Sequence, residues 1–329
     1  MKNNKPVIIV LGEPNSIFVE ILSKVIGKKS IQKIVKYPLI IIGSKNLILS
    51  QLKILNRSIN FENLNKQHID FKKLKNKIYL IDIHYKFKKP FEPISKSSKN
   101  YINQCFEKGF EILNKKISNI LINGPISKKH FLENKHPGVT EYIFDNSKKK
   151  ISKNPVMLIY NQKFSVSPIT THIPLKNVYK KLNQKTIINN ALTINRFYKN
   201  KLKIKPKIAI IGLNPHCETK TKLNEELKII IPALKKLKKR NINVYGPFAA
   251  DTFFLKNNLS HYNSIIGMYH DQVLTPFKTI FGFDASNITL GLPFLRLSVD
   301  HGPNVPMLGK NKSDTKSLEN IFKFINSIE

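Results

Sequence analysis

Short blocks of consecutive apolar, mostly β-branched residues recur along the chain, and each stops at turn-forming residues. Residues 7–11 run into Gly12-Glu13-Pro14, 39–42 into Gly43-Ser44, 120–122 into Asn123-Gly124-Pro125, and 207–211 into Gly212-Leu213-Asn214-Pro215. A fifth block, 265–268, leads to Tyr269-His270. These blocks are too short for helices and do not alternate with polar residues, so they predict strands buried on both faces of a mostly parallel sheet. Between them lie helical patterns. Residues 16–28 carry Ile17, Val19, Ile21, Leu22 and Val25 on one stripe, with Ser16 as the expected cap and Glu20 in the first turn. Residues 101–115 and 223–239 are further amphipathic helices by the same test. Residues 86–99, with Pro90 and Pro93 among lysines and serines, read as a loop. Strand and helix alternate without an internal repeat, which predicts an α/β architecture.

Composition narrows the class. At roughly 100–200 residues per domain, 329 residues suggest two domains, and 41% hydrophobic residues supply a sizeable core. Two cysteines leave no disulfide framework and point to a reducing compartment. No apolar run approaches the roughly 18 residues of a membrane span, and the first apolar block is cut short by Glu13 and Pro14. The expectation is a soluble cytoplasmic protein without membrane contact. The formal charge of +35 invites an anionic partner. Yet only Arg57, Arg196, Arg240 and Arg296 stand among the 56 basic residues, and the lysines are spread along the whole chain. Base reading and bidentate phosphate capture rely on the arginine fork. Compositional drift toward lysine explains the charge better than a nucleic-acid surface, and an arginine kept against that drift gains weight.

Candidate chemistry concentrates at strand ends. His172, His216 and His270 each follow a candidate strand at its carboxyl end, the edge where open α/β sheets bind ligands. Converged, they would make an open metal site; apart, each would be an ordinary strand-end histidine. Cys217 is either a soft ligand or a small buried filler. Asp271 could orient His270, ligate, or cap a helix. Lys278 and Arg296, with Asn287 between them, suit an anionic and most naturally phosphorylated small molecule. Arg296 lies in the apolar stretch Gly291-Leu-Pro-Phe-Leu, where a charge needs a partner. The glycines never fall two residues apart, so neither a Gly-x-Gly-x-x-Gly fingerprint nor a Walker A loop is present.

Taken together, Met268-Tyr-His-Asp-Gln272, Asn287-Ile-Thr-Leu-Gly-Leu-Pro-Phe294, Arg296 and Ser298-Val-Asp-His-Gly302 resemble the 4-hydroxythreonine-4-phosphate dehydrogenase family of vitamin B6 biosynthesis. Gly212-Leu-Asn-Pro-His216, Gly246-Pro-Phe-Ala-Ala-Asp-Thr252, Thr171-His-Ile-Pro-Leu175, Gly124-Pro-Ile-Ser-Lys128 and Gly12-Glu-Pro14 fit in the same order. The resemblance implies an isocitrate-dehydrogenase-like α/β/α fold, with two domains around a central cleft, working as a homodimer. The expected domains are residues 1–135 with 290–329, and residues 136–289, the second carrying most metal ligands. The implied reaction is NAD- or NADP-linked oxidation and decarboxylation of 4-phosphohydroxy-L-threonine. Implied metal ligands are His172, His216 and His270, holding zinc, magnesium or cobalt in a site completed across the dimer. Implied substrate contacts are Thr140, Lys278, Asn287 and Arg296; Lys278 and Asp271 are candidate acid–base groups. Where the family has Gly-His-Thr-Glu, this chain has Gly138-Val139-Thr140-Glu141, with His136 nearby, and the loop 217–222 has no glycine. A second expected reading is therefore a dehydrogenase of another 4-phosphorylated hydroxy acid, such as threonate or erythronate phosphate. A third, from the charge, is a non-catalytic polyanion binder.

Overall fold

The computed structural model of the chain describes residues 5–64, 70–133, 135–136, 138–218 and 224–328. By its contacts the chain forms two compact units, Met1–Lys149 with Leu292–Glu329, and Lys150–Gly291. The strands in chain order begin with β1 (Val7–Val10), β2 (Leu39–Gly43), β3 (Glu62–Asn63), β4 (Ile78–Asp82), β5 (Ile120–Asn123) and β6 (Val156–Tyr160). They continue with β7 (Ser165–Thr170), β8 (Ile208–Ile211), β9 (Val244–Phe248), β10 (Ser264–Tyr269), β11 (Ser286–Leu290) and β12 (Leu295–Ser298).

In the first unit the strand order is β3-β4-β2-β1-β5-β12, and these strands pair in parallel. Ile9 of β1 stands opposite Ile41 on one side and Ile122 on the other. Every residue of β1 and β2 is buried, which is why these blocks read as continuous apolar runs. Ile8, Val10, Ile40, Ile42 and Leu121 share a core with Ile102, Cys105 and Phe106 of helix Lys99–Asn114. Helix Lys316–Ile328 buries Leu318, Ile321, Phe322, Phe324 and Ile325, a one-faced spacing that packs it against helix Phe18–Ile26. Each such side chain contributes roughly 1.5–3 kcal/mol of burial. Helix Val139–Asn146 belongs to this unit, because Ile143 and Phe144 join the same core. The chain therefore leaves the first unit after that helix, at 149/150, and returns at 291/292.

One local expectation is corrected. Ser16 does not cap the first helix: the cap position is Ile17, with no side-chain cap. The stretch before the helix is held from outside instead, with Glu13 N–H donating to Pro125 O at 3.0 Å and Ile17 N–H to Pro303 O at 3.2 Å. The Ser16 hydroxyl only accepts from Phe18 N–H at 3.4 Å. Gly12 sits at φ +76°, and a Cβ there would lie 2.7 Å from Pro125 O.

In the second unit the order is β11-β6-β7-β10-β8-β9. Strands β7, β10, β8 and β9 are parallel, whereas β6 runs antiparallel to β7 and β11. The exception to a parallel sheet follows from a tight hairpin between β6 and β7, in which Asn161 N–H donates to Phe164 O at 3.2 Å. The core joins Ile159, Val166, Ala209, Ile211 and Ile265 to Val273 and Phe277 of helix His270–Phe281. The amphipathic stretch expected over 223–239 is a π-turn, Glu226–Ile230, running into helix Ile231–Lys238. Most of the loop after His216, residues 219–223, lies outside the described residues.

Candidate functional site

The order β7-β10-β8 makes three adjacent parallel strands, and the three histidines follow their carboxyl ends. His172 comes two residues after β7, His270 directly after β10, and His216 five residues after β8. The His172 and His270 rings lie with centroids 5.6 Å apart. That separation suits two imidazoles facing one ligand. His270 Nδ1 is 2.6 Å from Asp271 Oδ1. His216 Nδ1 is 3.5 Å from Asp251 Oδ2, and its side chain is 74% exposed. In both cases a carboxylate faces Nδ1 and leaves Nε2 for an outside partner, the orientation usual for metal-ligating histidine. Asp271 stands against His270 Nδ1, the placement that its reading as an orienting partner requires. Among the described residues no three His, Cys, Asp or Glu side chains form a ready-made cation cage. The structure brings together two of the three expected ligands and leaves His216 with Asp251.

The turn that presents His216 is strained. His216 and Cys217 both have positive φ, +54° and +59°. Consecutive left-handed non-glycine residues cost on the order of 1 kcal/mol each and persist only where neighbours impose them. Here the buried Glu226 carboxylate accepts from Leu213 N–H at 2.7 Å, Asn214 N–H at 2.8 Å and the Asn214 amide at 2.7 Å. Burial alone would raise the Glu226 pKa, but these donors hold it below the usual carboxylate value. Burial raises the Cys217 thiol, which makes it a poor thiolate ligand.

Two expected substrate contacts lie in the same unit. Lys278, on helix His270–Phe281, places its Nζ 5.1 Å from the Phe283 ring centroid. Asn287, on β11, has a buried Oδ1 that accepts no hydrogen bond. A buried acceptor left open in this way is suited to a donor brought by a ligand.

The other two lie in the first unit. Arg296, on β12, is 3% exposed. Its Nε donates to Asn123 Oδ1 at 2.7 Å, and one terminal nitrogen reaches Thr140 Oγ1 at 3.4 Å. Burial lowers its pKa to about 10, while the neighbouring Glu141 charge works against that shift; it remains a cation at neutral pH. Val139, at the position of the family histidine, is the first residue of its helix and packs against the core. His136 does not replace it: its Nδ1 lies 3.1 Å from Asp145 Oδ2 and its ring packs edge-on against Tyr142. At the end of β1, Glu13 is buried, and burial raises its carboxyl to about 7 despite contacts from Asn15 N–H and the Ser98 hydroxyl.

Sequence reasoning missed Asn123, Asp251, Glu226 and Gln272. Asn123 is 173 positions from the arginine that it holds. Only the turn after β5, which makes it a strand-end polar residue, could have singled it out.

Two α/β units with polar side chains gathered at parallel strand ends define a dehydrogenase-like α/β protein. The Klebsiella pneumoniae 4-hydroxythreonine-4-phosphate dehydrogenase crystal structure has this fold, with a TM-score of 0.81 over 99% of both chains at 24% identity. Residues 35–325 match the family described as pyridoxal phosphate biosynthetic protein PdxA, and the chain belongs to that family. A relative from Sulfurihydrogenibium sp. (strain YO3AOP1), named 4-hydroxythreonine-4-phosphate dehydrogenase, is 37% identical over 316 residues, 94% of each chain. One of the same name from Aquifex aeolicus (strain VF5) is 32% identical over 329 residues, covering 99% of this chain and 98% of its own.

Proposed function

We propose that this chain is a nicotinamide-dependent dehydrogenase. It oxidises 4-phosphohydroxy-L-threonine and releases carbon dioxide to give 3-amino-2-oxopropyl phosphate, on the route to pyridoxal phosphate. The near full-length likeness to relatives named for that dehydrogenase supports the reading. The observation that carries it is the trio of histidines on adjacent strand ends, two of them in ring contact and two backed by carboxylates.

The donor set fits a divalent cation: imidazole nitrogens suit such ions, and His216 and His270 each have a carboxylate facing Nδ1, which turns Nε2 the other way. His172, His216 and His270 would hold it, in a site closed across a homodimer. The chemistry that such a cation supplies is Lewis-acid, lowering the pKa of a substrate hydroxyl and stabilising charge on the oxygen after oxidation. Hydride acceptance belongs to NAD or NADP. The chain's own residues bind and orient. Arg296 takes the phosphate, its guanidinium oriented by Asn123 at Nε and by Thr140 at one terminal nitrogen. Asn287 Oδ1 accepts from a substrate donor, and Lys278 adds a second cation or moves a proton. In the first step a hydride leaves the carbinol carbon and the hydroxyl proton is lost, giving a β-keto acid. In the second, the bond to the carboxylate breaks, carbon dioxide leaves, and the carbon is reprotonated.

The absence of an imidazole at Val139, with His136 engaged by Asp145, favours one second reading: a related 4-phosphorylated hydroxy acid such as threonate or erythronate phosphate as substrate. Comparing turnover of the two substrate classes decides between them. The cysteines are both unpaired thiols, in keeping with a reducing, cytoplasmic setting. No helix among the described residues is long and apolar enough to cross a membrane.

The ligand set is tested by His216→Ala. The exposed side chain can be removed without opening the core, so the variant should fold and lose bound divalent metal measured by elemental analysis. Unchanged metal content removes His216 from the set.

A further inference from the structure

We propose that Gln272 is a positioning residue for the histidines, its side-chain amide supplying a rung that the sheet lacks between the ends of β8 and β10. This deepens the metal-site reading and rests on it. The ladder between these strands pairs Ser264 with Ile208, Ile265 with Ala209 and Ile266 with Ile210, and then stops. Two buried backbone groups lie just beyond, Met268 N–H and Gly212 C=O. Gln272, 8% exposed and in the first turn of helix His270–Phe281, satisfies both. Its Oε1 accepts from Met268 N–H at 2.7 Å, and its Nε2 donates to Gly212 O at 2.7 Å. On the far side of the same peptide segment, Thr170 Oγ1 donates to Met268 O at 2.8 Å.

The result is one chain of hydrogen bonds running from β7 through β10 to β8. It grips each strand close before its histidine: Thr170 before His172, Met268 before His270, Gly212 before His216. Gly267 makes the fold-back of Gln272 feasible, since a Cβ there would lie 3.0 Å from Gln272 Oε1 and 2.4 Å from Val273. Glu226 clamps the turn that follows Gly212. With both amide atoms used, the separation of the β8 and β10 ends has one value, and so does the relative placement of the imidazoles they carry. Groups behind metal ligands tune affinity by roughly 10–100-fold.

The test is a titration of the full chain with cobalt(II), read by competition and by the ligand-field spectrum. Gln272→Met keeps the volume and removes both bonds. It should raise the cobalt Kd by about tenfold or more and shift the spectrum. Thr170→Val removes only the outer link, beside an intact ladder pair with Tyr269, and should raise Kd less. Asn190→Ala, which removes a buried acceptor for the Ser167 hydroxyl away from the strand ends, should lower Tm and leave Kd and spectrum unchanged. Wild-type Kd and spectrum in Gln272→Met, or in Thr170→Val should the first variant not fold, overturn the inference. So does an Asn190→Ala effect as large as that of Gln272→Met. A wild-type chain that takes up no cobalt overturns the metal reading itself, before any substitution is compared, and the inference falls with it.

Discussion

Arg296 and Glu13 are buried ionisable side chains whose surroundings make opposite demands. Arg296 keeps its charge because Asn123 and Thr140 give its nitrogens acceptors and Glu141 adds a nearby negative group. A lysine there would carry the charge but not the fork, so Arg296→Lys should raise KM for a phosphorylated substrate by roughly tenfold or more, with a smaller effect on kcat. Wild-type steady-state kinetics would show that Arg296 does not touch the phosphate. Glu13, in contrast, has two long contacts of 3.4 Å and, among the described residues, no paired cation. Its folded-state pKa, about 7, lies above the ordinary carboxylate value of 4.5, so the folded chain binds the extra proton between these values. Stability must then fall as pH rises through that window. Glu13→Gln removes the titration, so wild type should lose stability relative to the variant from about pH 5 to about pH 8, by on the order of 3 kcal/mol at most. Parallel Tm profiles would contradict this. Arg296 stood out in the sequence as a rare arginine in apolar surroundings. Asn123 and Gln272 did not, because their partners are distant in sequence or are backbone atoms, and neither leaves a pattern.

At the scale of elements, legibility followed hydrophobicity. Strands such as β1, β2 and β5 were readable because both faces are buried and filled with isoleucine, leucine and valine. Strand β7 was legible only as a candidate strand ahead of His172 and not as one of the apolar blocks, although it lies in the core. Its sequence, Ser165-Val-Ser-Pro-Ile-Thr170, holds polar residues that are nonetheless buried. Ser165 bonds to Tyr198 and Ser264, Ser167 to Asn190, and Thr170 to Met268. Hydrogen bonding, not apolarity, brings that strand inside, and only tertiary structure supplies the partners. The three helices named from the sequence were placed to within a few residues, apart from the first cap, whereas others, Lys45–Ile54, Gln184–Phe197 and Lys316–Ile328 among them, were not named. A side-chain cap does exist on helix Gln184–Phe197, where Asn183 accepts from Thr186 N–H at 3.0 Å. Asn183→Ala should cost about 1 kcal/mol of stability in chemical denaturation; no measurable loss would mean that the end of this helix is held by packing alone.

For the whole molecule, the charge of +35 and the site point to different classes of protein. Charge sets solubility and non-specific attraction, not chemistry. Membership of the PdxA family and near full-length likeness to relatives named as dehydrogenases weigh on the side of an enzyme, and the lysines lie mostly on solvated surfaces. The strongly basic surface then accompanies catalysis without directing it. The measurement closest to this claim is the formation of reduced nicotinamide on mixing the purified chain with 4-phosphohydroxy-L-threonine, NAD or NADP, and a divalent metal, with a chelated sample alongside. The account predicts reduced cofactor and carbon dioxide in equal amounts from the metal-loaded protein, and neither after chelation. Metal-loaded protein that reduces neither cofactor with this substrate, or chelated protein that turns over at the same rate, would contradict it.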